Sequence, residues 1–187
     1  MFNARTALAA LLLFAVFLSG CFSSLKVLRQ ATTSPFASTS SYALMAPTFK
    51  DLHVNEIPEA EYLKTREKES LPGWEGDKAK VVEAFSKMLM KAEEINVQPS
   101  KLSKGADFRI YVNIDKIEPG FFAYVTAEEG RVRMRVKIIH DGKVVDEVEI
   151  EAENQSSMYE PTIRDRLEHC GALAGEELVE YLEGRQK

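Results

Sequence analysis

Residues 131–153 read RVRMRVKIIHDGKVVDEVEIEAE. Before Asp141-Gly142, Val132, Met134, Val136 and Ile138 alternate with Arg131, Arg133, Arg135 and Lys137. After it, Val148, Ile150 and Ala152 alternate with Glu147, Glu149, Glu151 and Glu153. Successive side chains of a strand point to opposite faces, so this period-two pattern puts each apolar set on a buried face and each charged set on an open one. Asp-Gly between two such runs is a hairpin signal. A three-residue loop, His140-Asp141-Gly142, with Gly142 left-handed, pairs 138 with 144, 134 with 148 and 132 with 150. It also sets Arg135 against Glu147, Arg133 against Glu149 and Arg131 against Glu151. A slip of one residue would bring apolar side chains opposite charges, so the pattern itself specifies the pairing.

The same reading extends upstream. Phe108, Ile110, Val112 and Ile114 alternate with Arg109, Tyr111, Asn113 and Asp115, which adds a third strand and makes a meander. Tyr42 to Ala46, closed by Pro47, reads as a first strand, and Ile95-Asn96-Val97 as a short edge strand. Glu59 to Glu69 has some helical character. Asp77 opens a helix whose stripe is Val81, Val82, Phe85, Met88, Leu89 and Ala92, with Asp77 as its N-cap. A last helix spans about 161–183, lined by Ile163, Leu167, Cys170, Gly171, Ala174, Leu178 and Tyr181. Gly171 and Gly175, four apart, would let it approach the sheet closely. The order is strand, helix, short strand, three-strand meander, helix. The fold class is therefore α+β: a mainly antiparallel sheet with helices packed on one face.

At the N-terminus, Ala7 to Leu18 is an apolar run of about twelve residues behind a single Arg5. At ~1.5 Å per residue it reaches about 18 Å, short of a ~30 Å hydrocarbon core. The layout is that of a signal peptide over residues 1–20. Leu18-Ser19-Gly20-Cys21 closes it and resembles the lipobox of bacterial lipoproteins. The resemblance implies recognition of Leu18, Ser19 and Gly20 by a signal peptidase, cleavage before Cys21, and acylation of the Cys21 sulfur and the new amino terminus. The competing readings are an ordinary secretory signal with a chance cysteine, or an uncleaved anchor. Several acyl chains hold a protein on a bilayer stably, where one is marginal. Phe22, in place of the Asp that favours inner-membrane retention, points to the outer membrane, periplasmic face. Residues 21–41 are rich in Ser and Thr and read as a flexible tether of ~25 Å mean span. Residues 42–187 form one periplasmic domain.

Net charge is −5, which argues against nucleic acid as a partner. With Cys21 committed to lipid, Cys170 cannot belong to a disulfide framework and reads as a small buried apolar residue. His53, His140 and His169 form no metal-ligand spacing, no nucleophile elbow or phosphate loop occurs, and no cofactor is expected. The arginine run looks like a ligand stripe until the hairpin register gives each arginine an acidic neighbour. Two aromatic stretches remain: Trp74, and Phe121, Phe122 and Tyr124. These are candidate partner-binding anchors, against the reading that Trp74 covers a core edge and one phenylalanine fills the sandwich.

From Ala106-Asp107 through the meander to the last helix, the layout resembles little-characterised envelope accessory lipoproteins of bacteria. The resemblance implies a non-enzymatic accessory or interaction module, held on the membrane by Cys21 and engaging an envelope protein partner. The alternatives are a carrier of small ligands or lipids in an apolar cleft between helices and sheet, and a hydrolase with a dispersed site.

Overall fold

The computed structural model describes residues 22–102, 104–123, 126–154 and 162–187, with the backbone alone at 69, 121–123, 126 and 127. Its centre is the expected meander: β6 (Phe108–Glu118), β9 (Gly130–His140) and β10 (Lys143–Asn154), all antiparallel. The inner face of this meander, including Ile110, Ile114, Met134, Val136, Ile138, Val148 and Ile150, is fully buried. Flanking strands complete the sheet: β1 (Phe22–Gln30) runs antiparallel to β10, β2 (Ser41–Leu44) parallel to β6, and β5 (Asn96–Pro99) parallel to β2. A small hairpin of β3 (His53–Val54) and β4 (Ile57–Pro58) lies along the end of β6. The helices are α1 (Glu59–Tyr62), α2 (Leu71–Lys91) and α3 (Ile163–Gln186). Their buried side chains join those of the sheet in one core, so the class is α+β, with helices on one face. The parallel β2–α2–β5 crossover makes the sheet mixed at one edge, which alternation alone does not show.

The hairpin departs from the expected register in an instructive way. Asp141 (φ 47°) and Gly142 (φ 73°) form a two-residue turn that pairs His140 with Lys143. That register, carried on, would put charged side chains inside. A bulge between Val144 and Asp146 inserts one residue and restores the parity. Beyond it Arg135 pairs with Glu149, Arg133 with Glu151 and Arg131 with Glu153. The faces are as expected; each pair sits two residues further along β10. The bulge also turns Asp146 inward, where it is fully buried.

α2 starts six residues before Asp77, with Pro72 in its first turn. Asp77 is therefore interior to the helix rather than its cap, and ion-pairs with Arg164 of α3 at 3.2 Å. Gly171 and Gly175 face α2, not the sheet. A Cβ on Gly171 would lie 2.5 Å from the Val81 carbonyl oxygen, and one on Gly175 2.9 Å from that of Phe85. These contacts advance together along both chains, so α2 and α3 run parallel.

The expected tether is the largest correction. Residues 22–30 form an edge strand, and the chain after it is fastened down. Asp146 accepts hydrogen bonds from Ala31 N (2.9 Å), Tyr181 Oη (2.7 Å) and Arg185 Nε (2.8 Å). The Phe36 ring is buried against Phe108, centroids 4.6 Å apart, and the Arg185 guanidinium lies over the ring at 5.2 Å. A strand ladder is built from backbone groups, so a serine-rich sequence can still supply an edge.

Candidate functional site

β1 begins at Phe22, which lies opposite Glu153 of β10; Glu153 faces Arg131 of β9, and Arg131 faces Glu118 of β6. These four residues mark one end of the sheet. From the same end β6 and β9 continue through Pro119-Gly120 into a two-stranded ribbon, β7 (Phe121–Ala123) with β8 (Thr126–Glu128). α3 also starts here, capped by the Thr162 hydroxyl, which accepts from Asp165 N at 3.1 Å.

The base of the ribbon is held from below. Arg166, 1% exposed, donates through Nε and Nη2 to the Pro119 carbonyl (3.3 and 3.2 Å) and through Nη2 to that of Gly120 (3.2 Å). One turn on, the Cys170 thiol donates to the Gly130 carbonyl at 3.3 Å. Gly120 has φ +61°, and a Cβ there would stand 2.4 Å from the Glu128 carbonyl oxygen. Only glycine fits this bend. Gly120→Ala is expected to cost about 1–3 kcal/mol, confined to the ribbon. Amide hydrogen exchange should accelerate at residues 121–128 and stay slow in β9 and β10; uniform acceleration would contradict the local assignment.

Charges line the end of the sheet. Arg131 reaches Glu118 (3.1 Å), Glu153 (2.6 Å), Glu151 (3.4 Å) and Glu129 (3.6 Å). Glu129 hydrogen-bonds Glu153; that contact first, then burial, raises the Glu129 carboxyl above its ordinary range, whereas for Glu153 the same contact, with the hydrogen bond from Arg131, outweighs burial and lowers it. A proton taken up by the pair therefore settles first on Glu129. Further along the stripe Arg133 meets Asp115 (2.8 Å), Arg135 meets Glu149 (3.4 Å) and Lys137 meets Glu147 (3.7 Å). The run of basic residues is thus neutralised across strands, each exposed pair contributing a few tenths to about 1 kcal/mol.

Of the residues singled out from sequence, Leu18, Ser19, Gly20, Cys21 and Tyr124 lie outside the described residues. Phe121 and Phe122 lie in β7, at the ribbon end. Trp74 is not there, and it is no partner anchor: it is 1% exposed in the first turn of α2. Its indole N–H donates to Glu59 Oε1 at 2.8 Å, its ring packs 5.2 Å from Tyr62, and Lys78 completes the cluster at 2.7 Å from the same carboxylate oxygen. The early helix start aligns Trp74, Lys78, Val81 and Phe85 on one inward stripe. Arg166 was missed, although it falls between Ile163 and Cys170 on the apolar side of its helix, where a charge is out of place.

Among the described residues no group of three His, Cys, Asp or Glu could hold a metal ion. No helix among them is long and apolar enough to cross a membrane. Among the described residues, the buried side chains of helices and sheet form one cluster. A groove of about 670 Å³ is open to solvent on the outer side of α2 and α3, lined by Lys87, Glu168 and His169 beside Met88 and Leu173.

No protein-family model matches the chain, and neither does any curated protein. The chain is similar to several solved structures. Protein XCC0632 from Xanthomonas campestris, carrying the family description DUF330, superposes with a TM-score of 0.50 at 16% identity, over 84% of this chain and 94% of its own. A PelC dodecamer from Paraburkholderia phytofirmans gives 0.42 at 11%, over 87% and 98%. The hypothetical protein CT253 from Chlamydia trachomatis gives 0.46 at 11%, over 79% and 98%. The first of these shows a shared fold and nothing more.

Proposed function

We propose that the chain is a lipid-anchored module of the bacterial cell envelope, non-enzymatic, that engages another envelope protein from the periplasmic face of the outer membrane. The observation that carries the anchor is Leu18-Ser19-Gly20-Cys21 at the end of a short apolar run. The single cluster of buried side chains joining helices and sheet supports an interaction module over a carrier, because a carrier needs an enclosed apolar cavity of several hundred Å³. Braced main-chain geometry at the ribbon and neutralised charges on the open sheet face suit surface recognition rather than bond chemistry.

Cys21→Ser tests the anchor. The variant should accumulate as an uncleaved precursor that takes up no labelled fatty acid. Continued acylation with normal processing would remove the lipoprotein reading. Crosslinking in living cells tests the module: one envelope protein should be recovered reproducibly, and recovery of none would count against it.

A further inference from the structure

We infer that the ribbon end of the domain rests on the lipid bilayer, with Phe22 and the start of β7 as a second, apolar membrane contact beside the acyl anchor. This rests on the lipoprotein reading above and adds an orientation to it. Consecutive Cα atoms are ~3.8 Å apart, and the ladder with β10 begins at Phe22. The lipid-bearing residue is therefore one peptide unit from the folded sheet, where a free twenty-residue tether would average ~25 Å. The proposed anchor thus joins the domain at one identifiable edge.

That edge is the end defined by Phe22, Glu153, Arg131 and Glu118, from which the ribbon continues. Acyl chains on Cys21 bring this end to the headgroup layer, and the other end of the sheet, with Asp141 and Gly142, is carried away from it. The groups that the backbone brings to this end are of two kinds. Phe22 is 61% exposed at the start of β1, and Phe121-Phe122 opens β7; aromatic and apolar side chains favour the interface. The carboxylates around Arg131 outnumber it, so electrostatic attraction to anionic lipid does not drive the contact. The apolar residues do, and the contact persists at high salt. Arg166 and Cys170 fix the ribbon to α3, so the ribbon and the anchor hold the domain at two separate points.

The test uses the full chain, produced with its lipid and reconstituted in vesicles of phosphatidylethanolamine and phosphatidylglycerol. A nitroxide is placed on Glu128→Cys in β8 and, separately, on Asp141→Cys at the far turn; both native side chains are exposed. Mass spectrometry of the same samples reports whether Cys21 is acylated. The expected result is a label at 128 several-fold more accessible to oxygen, relative to a water-soluble nickel reagent, than the label at 141, in low and high salt. Equal accessibility at the two sites on acylated protein overturns the orientation and leaves the anchor standing. An unacylated Cys21 overturns both.

Discussion

Asp146→Ala is expected to destabilise the domain by about 3–5 kcal/mol, the cost typical of breaking a buried ion pair from one side. The carboxylate has no exposure and accepts from three places in the chain: Ala31 N, Tyr181 Oη and Arg185. Alanine leaves the Arg185 guanidinium, 13% exposed, beside an empty space without its counter-charge. The tyrosine hydroxyl and an amide lose their acceptor in the same step. Urea titration followed by the fluorescence of the single buried Trp74 measures the loss. Limited proteolysis gives a second readout, because the segment 31–41 depends on this carboxylate and should be cut first. Asp146→Asn keeps the shape and part of the hydrogen bonding, so its cost should be smaller. If alanine and asparagine were both near neutral, the carboxylate would not be what holds the segment down.

Gly171→Ala should cost about 2 kcal/mol, against the usual direction for glycine in a helix. An added methyl normally favours the helix by roughly 0.5–1 kcal/mol. Here it would meet the Val81 carbonyl oxygen at 2.5 Å, and Val81 Cα at 3.1 Å. These are main-chain atoms of a packed helix, so relief requires α2 and α3 to move apart along their length, the costly kind of overpacking. Gly184 in the same helix has nothing within 4 Å of a built Cβ, so Gly184→Ala should be neutral or slightly stabilising. The pair separates contact from propensity. Thermal unfolding of both variants checks it, and equal midpoints for the two would refute the close helix contact.

The fold was most readable where side-chain burial and secondary structure share a period. Alternation in β6, β9 and β10 is strict because one face meets helices and the other meets water. β1 carries the same alternation faintly: Ser23 and Leu25 are half-buried between the exposed Phe22, Ser24 and Lys26. An edge strand needs little apolar surface, so its composition resembles a linker. The Val145 bulge was invisible because a shift of two residues leaves every face unchanged; only the turn geometry at Asp141 and Gly142 separates the two registers. Parallel pairing of β2 with β5 and β6 depends on residues more than fifty positions apart and has no local signature.

The candidate site was legible in part. Phe121 and Phe122 stood out as apolar residues at a bend. What fixes that bend is Arg166, contributed from a helix 46 residues away in sequence. Its signal was a charge on an apolar stripe, which is easy to read as a boundary of the stripe. Trp74 misled because the Pro72-Gly73 pair before it suggests a loop; in fact Pro sits comfortably in a first helical turn and Gly73 is simply tolerated.

The pairing of β1 with β10 has a mechanical consequence. Anchored at residue 21 as proposed, the domain would take any pull away from the membrane along the axis of β1. The ladder from Phe22 to Gln30 is then loaded in shear: its hydrogen bonds share the force and must give way together rather than one by one. A strand joined at its other end would be peeled. Under that anchoring the edge strand would be both the last piece of the sheet and the attachment through which tension reaches it.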